Sequence, residues 1–216
     1  MIKKEIRSHI KNLLPKYGYF AEYHPKVIDA AIEKVLSSMY NEIWAVDPHS
    51  LQRFTKRYGQ TTAIAVAEDV TANYYYSNYP AMIVPILDKA SGVRRITTRQ
   101  QGGMTFHPMD AREVELVASG SLFSVITNKI GYVVTQDRIE YYGMTAAIAL
   151  AGVRMDLLVP FSVYADTDTV LVPEIKDGEG MMFSDRVIRI LGVINQADLH
   201  DDNKATKVIT NAEQNG

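Results

Sequence analysis

Apolar positions recur at intervals of three and four in the first part of the chain, then give way to short β-prone runs beyond Gly59. Ile2, Ile6, Ile10, Leu13 and Leu14 form one stripe with Lys3, Lys4, Arg7 and Lys11 opposite, the spacing of an amphipathic helix that Pro15 and Gly18 stop. A second helix opens at Pro25, a residue suited to the first helical position, and carries Ile28, Ile32, Val35, Met39 and Ile43 on its apolar face. Val27, Ala31, Leu36 and Tyr40 widen that face beyond what one partner helix covers. This helix is therefore expected to pack centrally and to end near Trp44 to Val46. Asp47-Pro48-His49-Ser50 reads as a turn that caps a short third helix from about Ser50 to Tyr58, with Gly59 ending it.

Between Asn73 and Thr98 the pattern predicts a hairpin. A tyrosine-rich extended segment (Tyr74, Tyr75, Tyr76, Tyr79) leads into a strand from Ala81 to Leu87, a turn from Asp88 to Gly92 and a returning strand from Val93 to Thr98. Pro80 and Pro85 lack backbone donors, which places this hairpin at a sheet edge or on a projecting arm. Further strands are expected at Thr61 to Val66, Met104 to Phe106, Ser124 to Thr127, Tyr132 to Gln136, Arg138 to Tyr142 and Arg154 to Val159. Met109 to Ala118 has weak helical spacing, and the Ala-rich run from Met144 to Ala151 suits either helix or strand. Val170 to Val172 reads as a short strand closed by Pro173, and Met181 to Leu191 as a last helix ended by Gly192.

The class that follows is α+β, with N-terminal helices packed on a partly irregular antiparallel sheet, a projecting hairpin, a C-terminal helix and an extended C-terminal arm. Residues 1–194 are expected to form one domain, with 1–58 helical, 59–172 mainly β and 173–194 the closing helix. Residues 195–216 are expected to be a flexible arm. Its polar composition leaves Leu199, Val208 and Ile209 as apolar anchors for a partner.

Composition narrows the function classes. At 216 residues, 47% hydrophobic and 22% charged, the chain is in the ordinary globular range. A net charge of -2 removes the whole-chain basic field that wrapping nucleic acid requires. The absence of cysteine excludes disulfides and thiolate metal sites. No run reaches about 18 apolar residues and the N-terminus lacks the apolar core of a secretory signal, so a soluble protein without membrane contact is expected.

Phosphate-loop, dinucleotide and nucleophile-elbow motifs are missing, and His9, His24, His49, His107 and His200 have no zinc-site spacing. Asp166, Asp168, Asp201 and Asp202 suit turn chemistry and a solvated tail better than a calcium loop. No catalytic residue, cofactor or metal is expected. Tyr74, Tyr75, Tyr76 and Tyr79, together with Arg94 and Arg95, read as a protein interface, because tyrosine and arginine offer large contact area at low entropic cost. Stacking of single-stranded bases on the same residues is the nucleic-acid reading, which the acidic balance disfavours.

The stretch from Asn73 to Thr98, with Ile130 to Tyr142 and Val153 to Phe161, resembles virion structural proteins of tailed bacteriophages. The likeness is to ring or head-to-tail connector (portal adaptor) proteins of crAss-like short-tailed phages, and it spans about His24 to Val193. It implies a homo-oligomeric ring, commonly of twelve copies, between the portal protein and the neighbouring tail or ring proteins, with DNA at most passing through the lumen. It further implies a place in the virion, at the head-to-tail junction or in the tail, after assembly in the bacterial cytoplasm. The likeness has no active residues to carry over. From a different class, a small-molecule binder or enzyme assembled from residues such as His107, Asp137, Arg138 and Asp156 remains the alternative.

Overall fold

The computed structural model describes residues 1–19, 22–85, 92–99, 103–118, 129–173 and 183–193. The chain divides into two compact units, one formed by Met1–Met39 with Tyr164–Gly216 and the other by Tyr40–Val163. Both helices and antiparallel strands are present, so the α+β class is borne out.

In the first unit, α1 (Lys3–Leu13) and the start of α2 (Pro25–Val46) have the extents that their apolar spacing predicts. A third helix, α5 (183–193), matches the expected closing helix within two residues. Ile6, Ile10, Ile28, Ile32, Val35, Met39, Val187, Ile188 and Leu191 are all buried. Lys3 departs from the pattern. Its place on the polar side of α1 predicts exposure, yet it is 3% exposed. Its ammonium donates to the Tyr164 carbonyl at 2.8 Å and lies 3.7 Å from the Asp29 carboxylate, which offsets the cost of removing it from water.

Arg7, one turn later, clamps Asp29 with two hydrogen bonds of 2.5 Å and Asp166 with a third of 2.7 Å. The residues read as a turn at Asp166 to Asp168 thus anchor the start of α1. Lys3 N–H donates to the Asp168 carbonyl and Val170 N–H to the Met1 carbonyl. The expected strand at Val170 to Val172 is reduced to one bridge, Ile2 with Thr169.

The second unit holds two sheets. One has the order β1 (Lys56–Tyr58), β8 (Val153–Leu157), β4 (Val93–Thr98), with both pairings antiparallel. The other has the order β2 (Ala67–Asp69), β3 (Tyr74–Asn78), β7 (Arg138–Tyr142), β6 (Gly131–Val134), β5 (His107–Pro108), and only its β5–β6 pairing is parallel. Residues 104–108 link them. Thr98 N–H donates to the Met104 carbonyl and Phe106 N–H to Ile96 on one sheet, while His107 N–H donates to Ile130 beside the other.

Several expectations are corrected here. The third helix becomes a 3-10 helix, Pro48–Phe54, which buries Leu51 and Phe54 at the three-residue spacing such a helix repeats, and Lys56–Tyr58 is strand β1. The tyrosine segment is an interior strand, since β3 is hydrogen-bonded to β2 and β7, because Pro80 falls beyond its end at Asn78. β4 occupies the expected residues and takes β8 as its partner. Of the segment expected opposite it, Ala81 to Pro85 carries no strand, although Val84 N–H donates to the Leu158 carbonyl. Residues 86–91 lie outside the described residues, as do the expected strand at 124–127 and the arm at 195–216.

The expected strand at Thr61 to Val66 contributes only Ile64, which bridges Val153. The Ala-rich run resolves as helix α4 (Ala146–Ala151), with Thr145 accepting from the Ile148 N–H as its N-cap and Gly152 at its C-cap. α3 (Ala111–Ala118) matches its weak helical spacing. Among the described residues no helix is long and apolar enough to cross a membrane.

Gly152 has φ +74°, and a Cβ there would lie 2.7 Å from both the Ala63 Cβ and the Ile64 carbonyl oxygen. Gly18 has φ +81° with open space around it. Gly152→Ala should therefore cost about 3 kcal/mol and Gly18→Ala only about 1 kcal/mol, compared by urea unfolding midpoints. Equal losses at the two positions would show that the contact with Ala63 and Ile64 is unimportant.

Candidate functional site

Two surfaces of the second unit concentrate its chemistry. The first is one face of the five-stranded sheet. Strand alternation sends Ser77, Ile139 and Tyr141 to the buried side, where the Ser77 and Tyr141 hydroxyls are 2.7 Å apart and the Phe106 ring meets Tyr141 edge-on at 5.6 Å. Tyr74, Tyr76, Arg138, Glu140 and Tyr142 occupy the opposite, half-buried side.

There Arg138 lies over the rings of Tyr74 at 5.3 Å and Tyr76 at 4.7 Å and hydrogen-bonds the Tyr74 hydroxyl. Glu140 accepts from Arg138 Nε at 3.2 Å and from the Tyr142 hydroxyl at 3.1 Å, while Asp69 lies 3.8 Å from the guanidinium. The Tyr74 and Tyr142 rings meet in a tilted arrangement, 5.6 Å between centroids. The arginine is held by two rings and two carboxylates, so this face is ordered before any partner arrives. A face fixed in this way loses little entropy on binding.

The remaining interface candidates are distributed differently. Tyr75 is half-buried on the Tyr141 side, and Tyr79 donates to the Thr135 carbonyl at 2.6 Å. Arg94 and Arg95 are neighbours with opposite surroundings, because successive side chains of β4 point to opposite faces, and the pairing of β4 with β8 shifts register between Val93 and Arg95. Arg94 is the extra residue. It lies over the Trp44 ring at 4.8 Å and donates to the Pro48 carbonyl at 2.9 Å. Arg95 is exposed and pairs with Asp156 across the ladder. Leu199, Val208 and Ile209 lie outside the described residues.

The second surface is a recess of about 170 Å³ on the three-stranded sheet, lined by Arg57, Tyr58, Gln60, Arg95, Thr97, Gly103, Arg154 and Asp156. Val153, Met155 and Leu157 of β8 are fully buried on the other face, so Arg154 and Asp156 point into the recess by alternation. The register sets Arg57 on β1 and Arg95 on β4 directly opposite Asp156. Asp156 accepts from Arg57 Nε at 3.1 Å and from Gln52 Nε2 at 3.0 Å.

Sequence reasoning singled out Arg95 and Asp156 but not Arg57 or Arg154. The alternation Val-Arg-Met-Asp-Leu was the available signal for Arg154, whereas Arg57 lies in a segment whose sequence reads as the end of a helix and which forms β1. Of the alternative set, only Asp156 lines this recess; His107 and Asp137 are exposed and Arg138 belongs to the tyrosine face. Among the described residues no group of three His, Asp or Glu is arranged to hold a metal ion. Comparison with known proteins returns no matching family model, no similar curated protein and no similar solved structure.

Burial pushes the hydroxyl of Tyr79 up to about 12, with Asp137 adding to the rise. Burial also brings Tyr142 to about 12, with its hydrogen bond to Glu140 contributing, and brings Tyr132 to about 12 against the opposing effect of Arg94. An unfolded tyrosine titrates near ~10, so the folded state holds these protons more tightly. The stability they contribute is complete below pH ~10 and is lost as pH rises toward ~12. Urea midpoints measured across that window should fall, and the fall should be shallower in Tyr79→Phe, from a lower starting stability. A midpoint independent of pH up to ~12 would contradict the burial of these hydroxyls.

Proposed function

We propose that the chain is a non-enzymatic structural protein of a tailed-phage virion, a homo-oligomeric ring subunit in the head-to-tail connector between portal and tail. The observation that carries the interface part of this reading is the tyrosine face, where Tyr74, Tyr76 and Tyr142 surround a fixed Arg138. Tyrosine and arginine are the residue types on which protein interfaces concentrate their binding energy. The position in a virion rests on the resemblance of Asn73 to Thr98, Ile130 to Tyr142 and Val153 to Phe161 to connector proteins.

A surface patch that meets a different patch on the next copy generates a head-to-tail contact, and such contacts close into a ring when the rotation per subunit allows. The strand β2 at the sheet's end adds a second route to a neighbour, with Val70 just beyond it 82% exposed.

Native mass spectrometry over a concentration series, alone and with a portal protein, should give a closed ring, or a monomer that becomes one when the portal is added. A monomer that ignores the portal at every concentration and salt would sink the proposal. Tyr76→Ser should weaken assembly roughly 30-fold, the scale of an interface hot spot, with an unchanged circular dichroism spectrum. Removing the residues after Asn195 should weaken assembly with helical content intact, and unchanged assembly would count against a role for Leu199, Val208 and Ile209.

A further inference from the structure

The recess on the three-stranded sheet holds more positive charge than its own residues neutralise. Three guanidinium groups line it, those of Arg57, Arg95 and Arg154, with one carboxylate, Asp156. That carboxylate already accepts from Gln52 and Arg57. Among the described residues Arg95 has only a long contact, 3.4 Å, to the Thr105 hydroxyl. Arg154 Nε is buried and has no hydrogen-bond partner among the described residues. A buried donor of this kind costs stability unless something accepts from it.

We propose that this recess is a binding site for a phosphate group, carried by a small phosphorylated molecule or by inorganic phosphate. Charge selects the ligand class. With one arginine set against Asp156, two positive charges remain, which match the roughly two negative charges and three acceptor oxygens of a phosphate monoester near neutral pH. A single carboxylate neutralises only one of them.

Geometry agrees with this choice. Arg57 and Arg95 flank Asp156 across the ladder, about 5 Å to either side at Cβ, and Arg154 stands two residues along the same strand, about 7 Å away. Guanidinium groups rising from three adjacent strands converge on one tetrahedral anion more readily than on a flat one. Arginine also presents paired donors that fit phosphate oxygens. Thr97, opposite Arg154 in the register, and Gln60 add neutral donors at the rim. The site lies wholly on β1, β4, β8 and their flanks, so it stands independently of the ring reading.

Isothermal titration of the full chain with inorganic phosphate near pH 7.5, at fixed ionic strength, tests this. Single-site binding is expected, with acetate at least about tenfold weaker. Arg95→Gln and Arg154→Gln should each weaken phosphate binding about tenfold or more, the scale of one charge-assisted hydrogen bond, while Arg112→Gln on α3 leaves it unchanged. Should Arg154→Gln fail to fold, the exposed Arg95 keeps the test decisive. Phosphate binding unaffected by Arg95→Gln, or matched by chloride at equal ionic strength, would overturn the assignment. Binding of a duplex oligonucleotide that is lost in Arg95→Gln, with no binding of inorganic phosphate, would also overturn it, by reassigning the recess to a nucleic-acid backbone.

Discussion

Strand β8 is the constraint on which the second unit depends. It is paired on both sides, with β1 along one edge and β4 along the other, and Gly152 and Ile64 fix its entry. Because side chains alternate, a single register decides both faces at once. Val153, Met155 and Leu157 fill the core, and the same choice delivers Arg154 and Asp156 to the recess on the opposite face. A slip of one residue would turn a guanidinium and a carboxylate into the apolar core and move three large apolar side chains to the recess face. The arginine recess is thus a by-product of the register that holds the core, and it needs no loop to position it.

The first unit relies on charge to a degree that its apolar pattern conceals. Asp29 on α2 receives Arg7 twice and Lys3 from a longer distance, and Arg7 reaches on to Asp166. Losing Asp29 would take away a carboxylate that balances the charge of a lysine that is almost wholly buried. Paired groups of this kind resist replacement one at a time, because the partner left behind is desolvated without compensation.

What was legible in the sequence follows from how each segment is buried. α2 was readable because one wide face is buried from Ile28 to Tyr40, and β7 was readable because Ile139 and Tyr141 alternate with charged and polar neighbours. The tyrosine run hides its place in the sheet. Three consecutive tyrosines carry no alternation, so Pro80 dominated the reading and suggested an edge, although the strand ends two residues before it. The 3-10 helix was hidden because Leu51 and Phe54 satisfy either helical period over one turn. As for the sites, Arg94 and Arg95 look equivalent in sequence, yet alternation along β4 sends one to Trp44 and the other to the recess, and which goes where is set by the pairing with β8.

The division of the chain has a consequence for its birth on the ribosome. Tyr40–Val163 is continuous, whereas the other unit is made from Met1–Met39 and from residues that begin at Tyr164. During synthesis the continuous unit is complete while α1 and the start of α2 still wait for the 164–170 turn and α5. Until those emerge, the unit that buries Ile6, Ile10, Ile28 and Ile32 is incomplete, and Lys3 and Arg7 lack Tyr164 and Asp166. The nascent chain therefore passes through an interval in which one half is finished and the other presents apolar helices to its surroundings, the period in which a holding chaperone has most to bind.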